Sequence, residues 1–197
     1  MNKINLLNHL NKIGISFEQF NREADERASL PSPPENEELK YKLHGYTILN
    51  QRRTARILKT YKPSAEILAT VNKITSKQTW LIITEDWCGD SAQNLPFLYK
   101  MTNQNKNINW KVIYRDQNTD IIDMFLTNGG RAIPKIVVFD SEGNELLQWG
   151  PRPEYAKQLV KNWKESGLTK EEFNEKLHLW YGKDKGKTLE KEFLELL

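Results

Sequence analysis

Residues 79–84, Thr-Trp-Leu-Ile-Ile-Thr, form a short, almost continuously apolar run rich in β-branched side chains. A run of this length without polar alternation makes a strand covered on both faces, and such a strand needs layers of helix above and below it. Matching elements follow it in the chain. Residues 91–101 read as a helix, 110–114 as a second strand, 120–126 as a short helix and 135–139 as a third strand. Residues 141–144 (Ser-Glu-Gly-Asn) make a tight turn into 145–149, which completes a hairpin, and 153–166 read as a closing helix. The order β-α-β-α-β-β-α specifies an α/β fold with a central mixed sheet flanked by helices.

The flanks are helical in pattern. Residues 4–20 carry amphipathic spacing with Gly14 as a weak point, and 30–37 hold three prolines that read as a linker. Residues 46–61 and 65–74 read as two further helices, with Pro63 placed for a helix start. Near the other end, Thr169-Lys170-Glu171-Glu172 has a capping-box pattern. Phe173, Leu177 and Trp180 follow on one helical face, and residues 188–197 form a last short helix. The expected division is a helical extension at 1–75, a core at 76–166 and a helical extension at 167–197. Tyr46, Leu49, Leu68 and Val71 are too many apolar groups to leave in water, so the first extension is expected to pack on the core as part of one unit.

Charge excludes some functions. The net +3, from 29 basic against 26 acidic residues, is too balanced to argue for nucleic acid, and none is expected as a partner. Residues 52–59 are basic without an acid, with Arg52, Arg56 and Lys59 on one helical face and Lys62 beyond. Such a run is either an anion patch or a solvated helix face. No apolar run approaches the ~20 residues that cross a bilayer, so no membrane contact is expected. One cysteine and three scattered histidines give no metal-ligand spacing, and neither a metal nor a cofactor is expected. The amino-terminal residues lack the pattern of an export signal, which makes the cytoplasm the expected compartment.

The chemistry concentrates at Thr84-Glu85-Asp86-Trp87-Cys88-Gly89-Asp90-Ser91. A lone cysteine is most often a small buried hydrophobe. Here it ends an apolar strand and begins a helix, at the sheet edge where α/β proteins place their sites. A helix start favours the thiolate, whereas Glu85, Asp86 and Asp90 disfavour it, so the sign of the net shift stays open. Ser91, one turn on, is placed to donate a hydrogen bond to the sulfur. Arg131 lies three residues before Pro134, and it and Arg115 are candidates to support a thiolate or to bind carboxylates of a small thiol.

This segment resembles the thioredoxin superfamily, whose Trp-Cys-Gly is matched by Trp87-Cys88-Gly89. Pro96 matches the proline of the family's first active-site helix. Ala132-Ile133-Pro134-Lys135 is similar to the stretch around its cis-proline. The wider pattern, including Thr127–Arg131 and Trp149-Gly150-Pro151-Arg152-Pro153, resembles a bacterial thioredoxin-like group with a monothiol Cys-Gly-Asp-Ser site. The resemblance implies a thioredoxin-like fold over about 79–165, and a cis bond at Ile133-Pro134. It also implies a nucleophilic Cys88 assisted by Ser91, with substrate contacts from Trp87, Gly89, Asp90, Arg131, Ile133 and Pro134. Ser91 stands in place of the resolving cysteine, Ile82 in place of a buried aspartate and Thr84 in place of a second tryptophan. The family's first strand is hard to find.

The expected activity is therefore monothiol thiol–disulfide exchange with protein thiols or a low-molecular-weight thiol, a second thiol from solution resolving the mixed disulfide. Two alternatives stand beside it. One is a non-catalytic binding module holding extended peptide beside the proline; the other is an iron–sulfur carrier similar to monothiol glutaredoxins.

Overall fold

The computed structural model describes residues 3–197. Four strands, β1 (Gln78–Thr84), β2 (Ile108–Tyr114), β3 (Lys135–Phe139) and β4 (Glu145–Trp149), form one sheet in the order β2-β1-β3-β4. β1 runs parallel to β2 and antiparallel to β3, with Trp80 opposite Trp110 on one side and Val138 on the other. β3 and β4 make the antiparallel hairpin, with a register shift between Val138 and Phe139. β1 is central and its last five residues are buried, as its uninterrupted apolar sequence requires.

The alternation of side chains along β1 and β3 splits the interior into two layers. Trp80, Ile82, Ile136 and Val138 face α2 (Phe17–Ser29), α4 (Ala65–Asn72), α5 (Gly89–Thr102) and α9 (Lys187–Leu196). Leu81, Ile83, Val137 and Phe139 face α1 (Lys3–Ile13) and the short α6 (Thr119–Ile122). A third cluster joins α7 (Glu154–Glu165) to α8 (Lys170–Asp184) through Ala156, Val160, Phe173, Leu177 and Tyr181.

The amphipathic pattern at 4–20 is two helices and not one. Gly14 breaks it, and Ile15 makes an antiparallel bridge to Val112 at the free edge of β2. A Cβ on Gly14 would lie 2.7 Å from the Leu10 carbonyl oxygen and 2.9 Å from Lys111 Cβ, so only glycine permits this approach. One bridged residue, Ile15, thus stands at the free edge of β2.

The helix expected at 46–61 begins earlier, as α3 (Glu38–Thr60). Of the four apolar residues cited for packing, Val71 is buried and Leu68 half-buried, but Tyr46 and Leu49 are 42% and 41% exposed. They belong to a stripe on α3 that overlooks the end of β1. The Thr169–Glu172 capping box forms, with the Thr169 hydroxyl accepting from the Glu172 N–H and the Glu172 carboxylate accepting from Thr169 N–H. Among the described residues, no helix is long and apolar enough to cross a membrane.

Candidate functional site

β1 ends at Thr84, and the chain turns through Glu85, Asp86 and Trp87 to Cys88, the cap residue of α5. The polar residues of this turn cannot extend a strand buried on both faces, and Gly89 allows the helix to start in a crowded place. Cys88 is only 8% exposed, and its Sγ lies 3.4 Å from the Ile133 carbonyl oxygen. The Ile133–Pro134 bond is cis, as is Gly150–Pro151. Gly150 has φ +122, and its Cβ position lies 2.1 Å from the Pro134 carbonyl oxygen, so the loop after β4 presses its backbone directly on the proline.

That loop carries Arg152 into the site. Its guanidinium pairs with the Asp90 carboxylate through Nε at 3.1 Å and through a shorter Nη2 contact. The Tyr181 hydroxyl of α8 donates to the other Asp90 oxygen at 2.8 Å. Burial works against the Arg152 charge, and Asp90 more than offsets it. Asp90 therefore anchors the first turn of α5 to the loop before α7 and to α8.

Asp86 is gripped from the opposite side. Arg27 of α2 pairs with its carboxylate, the Thr47 hydroxyl donates to it at 3.2 Å, and Asn50 donates to its backbone oxygen at 3.0 Å. Glu85 is buried and accepts from the Asp116 N–H at 2.8 Å. Burial pushes its carboxyl up to about 7, and Asp116 and Asp86 add to the rise.

The thiol itself is held protonated. Burial pushes Cys88 up to about 11, and the Asp90 charge adds to that. The Ser91 hydroxyl and the Asp90 and Ser91 amides oppose the rise without cancelling it. Ser91 is 3% exposed and accepts a 2.6 Å hydrogen bond from the Thr84 hydroxyl, which leaves its own proton available to the sulfur. The question left open by charge counting is thus decided upward, by desolvation before charge.

A cleft of about 500 Å³ opens over Cys88, with Trp87, Gly89 and Asp90 on its floor. One wall is the α3 stripe of Leu39, Leu43, Tyr46 and Leu49, and the other is α8, through Lys170, Asn174 and His178 among others. His178 closes the inner end. A Cβ on Gly89 would lie 2.7 Å from its Cε1. Its Nε2 is 3.4 Å from Arg53 and its Nδ1 3.5 Å from Gln93. Burial, Arg53 and Arg152 push His178 down to about 4, so the ring is neutral at pH 7.

Of the residues singled out from sequence, Trp87, Cys88, Gly89, Asp90, Ser91, Ile133 and Pro134 sit together here. Arg131 does not join them. Both its guanidinium bonds go to Asp123, at 2.7 Å each, in an exposed pair. Arg115 stacks on Trp87, its guanidinium carbon 5.0 Å from the ring centroid. Arg52, Arg56 and Lys59 are exposed, and Arg53 is the member of that run that turns toward Gly89. Arg152, His178 and Tyr181 were not singled out as site residues. The signal for Arg152 lay in the Trp149–Pro153 pattern; for the other two, 90 or more residues away in the chain, the apolar face of α8 was the only trace.

A family model described as thioredoxin matches residues 36–164, about two thirds of the chain. No curated protein matches. Two solved structures share the fold. A protein of unknown function from Pseudomonas aeruginosa is 19% identical with a TM-score of 0.64, the match covering 95% of this chain and 93% of that one. A crystallised HIV epitope-scaffold is 20% identical with a TM-score of 0.63, covering 95% and 94%. These identities speak to fold alone, and the coverage includes both helical extensions.

Proposed function

We propose that this chain, which belongs to the thioredoxin family, is a single-cysteine thiol–disulfide exchange protein of the Cys-Gly-Asp-Ser type. Cys88 would capture a partner disulfide as a mixed disulfide. The observation that carries this reading is the cleft: the chain's one sulfhydryl lies at its floor, beside the Ile133 carbonyl. Asp90 and Ser91 position the first turn of α5, and the exposed apolar stripe of α3 offers a surface for the partner.

The chemistry balances with two external reactants. Cys88 loses its proton to solvent, and the thiolate attacks one sulfur of a partner disulfide. A new S–S bond forms, the old one breaks, and the leaving sulfur departs as a thiolate. A second thiolate from solution attacks the mixed disulfide, is oxidised with the partner half, and returns Cys88 as a thiol. Ser91 cannot perform that second attack, so the mixed disulfide persists until a free thiol arrives. Protein thiols and low-molecular-weight thiols both meet this requirement.

The elevated Cys88 pKa supports a second reading, a thioredoxin-fold module that binds its partner without exchange. One experiment separates the two. The folded chain is incubated with oxidised glutathione at pH 8, and its intact mass is measured before and after adding reduced glutathione. Exchange gives one adduct, absent in Cys88→Ser and removed by the reduced thiol. A folded chain that takes up no glutathione, while the unfolded chain does, overturns the exchange reading in favour of the module.

A further inference from the structure

A second cleft, of about 580 Å³, lies where the end of α3 meets α5 and the C-terminal end of α8. It shares no residue with the cleft over Cys88. Its rim carries three cations, Arg56, Lys62 and Lys185, all exposed, and no carboxylate lines it. None of the three enters an ion pair among the described residues. The charges repel as well as accumulate: Arg56 helps to lower the pKa of neighbouring Arg53, after burial.

The floor is aromatic. Tyr61 and Phe97 pack edge to face with centroids 4.7 Å apart. Tyr61 gives its hydroxyl to Glu190, and Tyr181 gives its own to Asp90, so both rings present carbon rather than oxygen to the cleft. Buried Gln93 completes the base. The third cation, Lys185, is the C-cap residue of α8, its N–H donating to the Tyr181 carbonyl. Lys185 and Gly186 both adopt left-handed conformations, φ 55 and φ 81, in the turn from α8 to α9. Gly186 sits so close to Phe97 that a Cβ would lie 2.6 Å from its ring.

We propose that this cleft is a binding site for a small organic phosphate with a planar apolar body. The ring would lie against half-buried Tyr61, which Phe97 backs from beneath, and the phosphate would meet Arg56, Lys62 and Lys185, a division of labour usual in small-molecule sites. Three unpaired cations over aromatic carbon select against both a neutral ring and a bare anion. This absorbs part of the acid-free basic run in α3. Arg56 and Lys62 belong to the cleft, and Arg52 and Lys59 remain solvated.

The test is calorimetric titration of the full chain with 1-naphthyl phosphate, 1-naphthol and inorganic phosphate at low salt. Naphthyl phosphate should bind one to one, at least tenfold more tightly than either fragment, and weaken as salt rises. The double variant Arg56→Ala with Lys185→Ala should lose at least tenfold, while Arg52→Ala with Lys59→Ala should leave the affinity unchanged. The proposal is overturned if no saturable binding occurs, if inorganic phosphate binds as tightly as naphthyl phosphate, or if both double variants weaken binding equally. That last outcome would mean diffuse attraction to a basic helix. Circular dichroism of each variant confirms that a loss is not unfolding.

Discussion

Two carboxylates close together in sequence take opposite fates around one thiol. Asp90 is paired with Arg152 and Tyr181, and its charge still raises the Cys88 pKa. Replacing it by asparagine removes that charge and leaves Arg152 uncompensated, which favours the thiolate. Asp90→Asn is therefore expected to speed Cys88 alkylation at pH 8 about three- to tenfold, since one pKa unit is a tenfold change in thiolate fraction. Slower labelling, read by iodoacetamide uptake, would show that the Asp90 anchor matters more than its charge. Glu85 is raised to about 7, because its burial outweighs the opposing Asp116 N–H and Arg115. Its contribution to stability is present below the unfolded value near 4.5 and is lost as pH rises through 7. His178 works the other way. Depressed to about 4, it contributes above 6.5 and loses that contribution as pH falls through 4. The two slopes oppose each other between pH 4.5 and 6.5. Glu85→Gln should unmask the histidine: stability at pH 8 rises by about 1–3 kcal/mol and then falls more steeply below pH 6 than in the parent. Urea unfolding at pH 5 and pH 8 reads both effects.

At the scale of elements, the site is the meeting of α5 with two helices that the sequence places far from it. The first turn of α5 touches α8 so closely that Gly89→Ala puts a methyl group 2.7 Å from the His178 ring. Either α8 shifts or the turn does, at a cost of about 1–3 kcal/mol. Gly182, inside α8, has nothing within 4 Å of its Cβ position, so Gly182→Ala should gain about 0.5–1 kcal/mol from helix propensity. Thermal unfolding of the pair distinguishes contact from propensity: if both variants move the midpoint the same way, the α5–α8 contact is not tight. The same distances explain what the sequence withheld. β1 and β3 were legible as apolar runs, β4 as the return strand of a tight turn, and Cys88 because a polar turn follows β1. Arg131 was misplaced because nearness to Pro134 in the chain said nothing of Asp123, eight residues earlier, which takes both its bonds. The helix at 4–20 divided because the close approach of Lys111 to Gly14 is a tertiary fact with no local pattern.

For the whole molecule, both extensions grip the turn that carries the thiol. Arg27, Thr47 and Asn50 hold Asp86 from one side, and Tyr181 and His178 hold Asp90 and Gly89 from the other. These contacts lead to the expectation that the stretches 1–75, 76–166 and 167–197 unfold as one cooperative unit, which the intact chain can test. Tryptophan fluorescence, far-ultraviolet circular dichroism and Cys88 labelling should report the same urea midpoint, with a single transition. An earlier midpoint for labelling would mean that an extension detaches first. The central claim is that Cys88 exchanges thiols while the folded protein holds it protonated. Its most direct test is the second-order rate of mixed-disulfide formation with oxidised glutathione, followed from pH 6 to pH 10 on the folded chain. The expected result is a rate that climbs about tenfold per pH unit across the whole range without levelling, because the Cys88 pKa lies near 11. A plateau below pH 8.5 would contradict the protonated resting state, and no adduct at any pH would contradict exchange itself.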